Sequence, residues 1–116
     1  MQYLLLIYQN EAEVTNMGQA QWKQVHADYM AYTQSIVQSG HFKAGDALQR
    51  TATATTVRVR NGKTLTTDGP FAETREQLAG YYLVEAKDLD QAVTLAERIP
   101  SAKWGSVEVR PIQKFD

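Results

Sequence analysis

The chain has 116 residues, 43% of them hydrophobic, and twelve Lys plus Arg against thirteen Asp plus Glu leave a formal charge of −1. That length fits one domain with its own core, and the apolar content is too high for a disordered chain. The near-neutral balance provides no field for nucleic acid or an anionic membrane, and the absence of cysteine removes disulfides, thiolate nucleophiles and thiolate metal sites.

Residues 3–8, Tyr-Leu-Leu-Leu-Ile-Tyr, are continuously apolar and predict a central strand covered on both faces. No basic residue precedes the run, and it is far shorter than a signal or membrane-spanning segment, which points to a cytoplasmic protein with no membrane partner. Residues 10–18 are polar and end in glycine, so they read as a loop. In residues 19–39, Trp22, Val25, Tyr29, Tyr32 and Ile36 recur at steps of three and four and draw one stripe on a helix that Gly40 ends. At about 100° per residue, His26 and Thr33 fall at the edge of that stripe, beside its Trp22 and Tyr29 end.

Residues 41–48 predict a short strand with Asp46 near a bend. Residues 51–67 are rich in threonine and valine and are split by Asn61-Gly62, the signal for a tight antiparallel hairpin. Asp68-Gly69-Pro70 makes a turn, and the charged Glu73, Arg75 and Glu76 lead to a strand at residues 81–85. Gly80 marks a bulge or close backbone approach at its entrance. Asp88-Leu89-Asp90-Gln91 matches a capping box, and Leu89, Ala92, Val93, Ala96 and Ile99 stripe a second helix that ends before Pro100. Val107 and Val109 share one face of a last strand at residues 106–111. This order predicts an α+β domain with two helices on one face of the sheet. The other face stays partly apolar, and a patch of that size predicts a homodimer.

His26 is the candidate general base or acid, since imidazole as a class titrates near neutral pH and a helix can hold it beside a cleft. The bland alternative is a boundary histidine with one structural hydrogen bond. Asp46 and Asp68 are the candidates to orient it, although an aspartate before Gly-Pro is first a turn residue whose oxygen accepts backbone N–H groups. Arg75 offers a planar fork to a substrate carboxylate, with Glu73 beside it, against the alternative of a solvated charge run. Tyr29, on the same stripe as His26, is a candidate substrate contact. His26 and His41 lie fifteen positions apart with no ligand-spaced motif, and the glycines form no phosphate-binding pattern, so neither a metal nor another cofactor is expected.

Residues 67–76, Thr-Asp-Gly-Pro-Phe-Ala-Glu-Thr-Arg-Glu, continued by Gln-Leu-Ala-Gly-Tyr-Tyr, resemble the signature of the YCII-related family of DGPF-domain proteins. Residues 3–8, 45–49 and 104–111 look like the flanking segments of that family, so nearly the whole chain is covered. The resemblance implies a single YCII-related (DGPF) domain over residues 1–116. It implies a ferredoxin-like antiparallel sheet with two helices on one face, paired into a dimeric α/β barrel. It also implies a histidine and an aspartate as a site, here His26 with Asp46 or Asp68, and acid–base chemistry of lyase or isomerase type on a small organic molecule. Proteins of this kind are often encoded beside extracytoplasmic-function sigma factors. The alternative is therefore a non-catalytic ligand-binding or regulatory module acting with such a factor.

Overall fold

In the computed structural model, which describes residues 1–115, the first apolar run becomes the inner strand β1 (Gln2–Gln9). It pairs antiparallel with β5 (Gln77–Glu85) on one side and β6 (Ser106–Pro111) on the other, and β2 (Phe42–Ala47) joins the outer edge of β5. The strand order is β2-β5-β1-β6. Helices α2 (Gln19–Gln38) and α3 (Leu89–Glu97) make the crossovers, giving an α+β sheet of ferredoxin-like type.

Alternation along β1 decides what becomes core. Tyr3, Leu5 and Ile7 are buried toward the helices, with Tyr82 and Val84 of β5 beside them. Tyr32 and Ile36 of α2, Ala92, Leu95 and Ala96 of α3, and Ile99 complete this layer. Leu4, Leu6, Tyr8 and Leu83 leave the sheet on the other side and are half-buried. Both long helices lie across the first face, so β1 is covered by helix on one side where its continuous apolar run predicts cover on two.

The α2 stripe loses its cover toward the N-terminal end: Tyr32 and Ile36 are buried, Val25 and Tyr29 half-buried, and Trp22 exposed. On α3 the buried positions are 92, 95 and 96, continued by Ile99, while Leu89 and Val93 are exposed. These positions keep the i, i+3, i+4, i+7 spacing; Val93 falls one step off it and Leu89 occupies the helix's first position. Asp88 caps the helix by accepting the Gln91 amide at 2.9 Å, and Gln91 in return accepts the Lys87 amide at 2.8 Å.

Two local expectations change. The predicted loop at residues 10–18 contains a short helix, α1 (Glu11–Thr15), because Asn10 accepts the amides of Ala12 and Glu13 at 3.0 and 3.2 Å and two glutamates stand in its first turn. Asp46 lies within β2 opposite Tyr81, and the irregular pairing falls between Phe42 and Ala44 instead. Continued pairing, with Leu48 N–H bonded to Ala79 at 2.8 Å, keeps the chain extended through Asp46.

The hairpin forms a sheet of its own, β3 (Thr55–Arg60) with β4 (Lys63–Asp68), turning at Asn61 and Gly62 with positive φ of 51° and 74°. Val57, Val59 and Leu65 on it are exposed, so it stands away from the main sheet as an arm. The radius of gyration, 16.2 Å, reflects this, since a compact chain of this length measures roughly 13 Å.

Gly80 falls within β5, at a bulge where Ile7 pairs with Gly80 and Tyr8 with Leu78. A Cβ on it would lie 2.8 Å from the Asp46 carbonyl oxygen. Gly80→Ala is therefore expected to cost about 2 kcal/mol of stability, because a backbone and not a flexible side chain must yield. Urea denaturation checks this, and equal midpoints for the variant and wild type would refute the close approach.

Candidate functional site

Where α2 loses its cover, a cleft of about 560 Å³ opens between that helix, the residues after β1 and the β2–β5 edge of the sheet. Ile7, Val25, Phe42, Trp22 and Trp104 give it a mainly apolar and aromatic wall. Glu11, His26, Tyr29, Thr33, Arg50 and Tyr82 are among its polar groups.

The floor depends on a cross-strand pair. Gly45 of β2 faces Tyr82 of β5, and a Cβ at Gly45 would lie 2.7 Å from Tyr82 Cδ1, so the missing side chain is what admits the ring. That ring meets Tyr32 and Phe42 edge-on, with centroids 5.3 and 6.3 Å away. The Tyr82 and Thr33 hydroxyls lie 2.6 Å apart. One turn earlier on α2, the Tyr29 hydroxyl is hydrogen-bonded to that of Ser101, in the tight helical turn Pro100–Lys103. Burial raises the pKa of Tyr29, Tyr32 and Tyr82 above the usual phenol value; the bonds to Ser101 and Thr33 oppose part of the rise in Tyr29 and Tyr82.

His26 stands exposed in the cleft wall, its ring stacked on Trp22 at 5.4 Å between centroids and 10° between planes. Asp46 contributes to the same cleft, yet its carboxylate accepts the Tyr81 hydroxyl at 2.7 Å. Asp46 and Tyr81 face each other one residue out of step from Gly45 and Tyr82, so their side chains leave the sheet on the side away from α2. That hydrogen bond, together with the aspartate charge, raises the Tyr81 pKa. Among the described residues no carboxylate is hydrogen-bonded to His26.

Asp68, Glu73 and Arg75 are exposed and do not line the cleft. Asp68 ends β4 on the arm, and the turn after it is held by other groups. Gly69 N–H donates to Ala54 at 2.7 Å and the Thr56 hydroxyl donates to the Gly69 carbonyl at 2.9 Å. Of the residues picked from sequence, the structure brings His26, Tyr29 and Asp46 to one cleft and leaves the other three outside it.

Sequence reasoning missed Thr33 and Tyr82 as cleft residues, and it missed Glu11 and Arg50 entirely. Helical spacing does place Thr33 with His26 at the edge of the α2 stripe, but that position alone does not mark it as a site residue. Glu11 accepts the Thr51 amide at 2.9 Å and the Thr51 hydroxyl at 2.6 Å, a tie of α1 to the root of the arm across forty positions that no local pattern reveals. His41 is far from this arrangement in role, its Nδ1 donating to the Glu85 carbonyl at 2.8 Å. Among the described residues no group of three or more His, Asp or Glu could hold a metal ion, and no helix is long and apolar enough to cross a membrane.

Comparison with known proteins adds two findings. The YCII-related domain matches residues 1–116. An uncharacterized protein of Rhizobium meliloti (strain 1021) is 36% identical over 117 residues, which cover 99% of this chain and 94% of the relative.

The raised phenols give the cleft a measurable alkaline signature. Below the ordinary phenol value of 10.0 the tyrosines are neutral folded and unfolded, and their packing contributes in full; above it the unfolded chain releases protons first, so stability falls as pH rises through the raised values. The urea midpoint is expected to drop between about pH 9 and about pH 11, and Tyr29→Phe or Tyr82→Phe should each shrink the drop. A drop of the same size in both variants would show that these phenols are not its source.

Proposed function

The chain belongs to the YCII-related domain family, and on that premise we propose that its cleft binds a small organic molecule on which His26 performs acid–base chemistry of lyase or isomerase type. The cleft carries this reading: about 560 Å³ of mainly apolar space, a size suited to a small molecule, with His26 in its wall and the Tyr29, Thr33 and Tyr82 hydroxyls around its floor. The aromatic wall would bind an apolar body, and the imidazole would take or return the proton. Asp46 would join His26 in this proposal only by exchanging its bond to Tyr81, since its carboxylate leaves the sheet on the side away from α2. Asp68, Glu73 and Arg75 take no part in it.

One observation favours a second reading. With no carboxylate hydrogen-bonded to His26 among the described residues, the same cleft would serve a sensing module that holds a ligand unchanged. Association with an extracytoplasmic-function sigma factor belongs to that reading.

We further propose that the chain works as a two-fold homodimer, two sheets packed through their open faces as a dimeric α/β barrel. Leu4, Leu6, Tyr8 and Leu83, half-buried on a face without helices, support it. Burying a patch on the order of 400 Å² at about 25 cal/mol per Å² contributes roughly 10 kcal/mol before the cost of association. A two-fold contact uses the same patch on both copies and closes on itself.

For the chemistry, proton NMR of a metabolite mixture incubated with the protein should show one component consumed, and His26→Asn is expected to slow that consumption by about 100-fold while the ligand still binds. Equal consumption by the variant removes His26 from the reaction, and binding without consumption selects the sensing module. For the assembly, light scattering at low micromolar concentration should return twice the 13.0 kDa chain mass, and Leu6→Asp should return one chain. A 13.0 kDa mass for the wild type would sink the dimer.

A further inference from the structure

The two hydroxyl pairs around the cleft do not use all their hydrogens. Ser101 is 1% exposed and does not line the cleft, and among the described residues its hydroxyl meets only the Tyr29 oxygen. Buried hydroxyl hydrogens do not go without an acceptor, so Ser101 donates and Tyr29 accepts. The Tyr29 hydrogen then has no acceptor among the described residues, and Tyr29 lines the cleft. Burial and the Ser101 bond bear on the same phenol, and the net rise in its pKa keeps that hydrogen in place at neutral pH. The Thr33 and Tyr82 pair repeats the arrangement: two hydroxyls 2.6 Å apart share one hydrogen, the second has no acceptor among the described residues, and both residues line the cleft. Tyr29 and Thr33 stand one helical turn apart, so the two hydroxyl pairs are neighbours in a mainly apolar wall.

Such a wall selects by chemistry. Spare O–H donors call for acceptor oxygens, and a purely apolar occupant would leave them unpaired. Glu11 and Arg50 balance each other, and the Asp46 carboxylate leaves the sheet on the side away from α2, so the cleft offers no net charge to an ion. Trp22, Tyr82 and Trp104 offer ring surfaces. We infer that the cleft is built for an uncharged ring compound bearing a carbonyl oxygen, which the Tyr29 hydroxyl takes as its hydrogen-bond donor and Ser101 positions by occupying the other side of that hydroxyl. This rests on the reading of the cleft as a ligand site and adds the class of ligand.

The chain's two tryptophans both line the cleft, so their fluorescence reports occupancy directly. The probes are 1-indanone, its hydrocarbon indane and the acid indane-1-carboxylate. The ketone is expected to bind at least about fivefold more tightly than either of the others, and Tyr29→Phe should remove about that factor for the ketone while leaving indane unchanged. Ser101→Ala should give a smaller loss with the fold intact. The infrared carbonyl stretch of bound, carbon-13-labelled 1-indanone should lie lower than in water-free solvent and move back in Tyr29→Phe, a readout that a merely structural role would not shift. Equal affinity for ketone and hydrocarbon, tighter binding of the acid, or a carbonyl stretch indifferent to Tyr29→Phe overturns the inference while the ligand site stands. If none of the three probes perturbs either tryptophan, the ligand site falls and the inference with it.

Discussion

The ring of Tyr82 fills the space that a side chain at Gly45 would need, and much of the structure depends on that interlock. It presses the edge strand β2 against β5 at the point where Tyr82 also meets Tyr32 and Phe42. The same ring carries its hydroxyl to Thr33, which ties the sheet to α2 where the helix is losing its cover. Any larger residue at Gly45 would displace the ring, and with it the floor of the cleft. A glycine facing an aromatic residue across two strands is thus the element that converts a sheet edge into a site.

Strand alternation then sorts the polar groups. Tyr82 and Gly45 face α2, while the neighbouring pair Tyr81 and Asp46 faces away, although the four residues occupy adjacent positions of the same two strands. The consequence is a division of labour by side of the sheet: hydroxyls bonded to hydroxyls around the cleft, and a carboxylate bonded to a phenol on the open side. Burial keeps Tyr29 and Tyr82 protonated, whereas Tyr81 owes its raised pKa first to the hydrogen bond it gives Asp46. The same chemical group is held neutral by two different causes on the two faces.

The open face and the arm share one physical problem. A two-stranded hairpin without a packed face is marginal in water, and Val57 and Val59 on the arm are 60% and 59% exposed. The tie from Glu11 to Thr51 anchors the arm's root, and the Gly69 to Ala54 bond closes its base, but neither covers its apolar residues. A flat molecule with extents of 48 × 48 × 19 Å leaves much of its apolar surface unpaired. That surface is what a second copy would cover in the homodimer proposed above.

The sequence by itself determined the elements wherever a short-range signal was strong. Asn61-Gly62 gives the hairpin turn, the three-and-four spacing gives α2, Asp88 starts α3, and the family signature around residues 67–82 gives the fold type, because each rests on contacts within a few residues or on one uninterrupted match. It also picked out Gly80 as a point of close approach and His26 and Tyr29 as neighbours on one helix face. It could not place Asp46 or Asp68 relative to His26, since a strand's two sides differ by a single residue of register and the register of β2 is set by Gly45 against Tyr82. Nor could it find the Ser101 bond to Tyr29 or the Glu11 tie to Thr51, which span 72 and 40 positions. Only the tertiary structure decided which side chains share the cleft, because burial, hydroxyl pairing and the side of the sheet are fixed by long-range packing that no local pattern encodes.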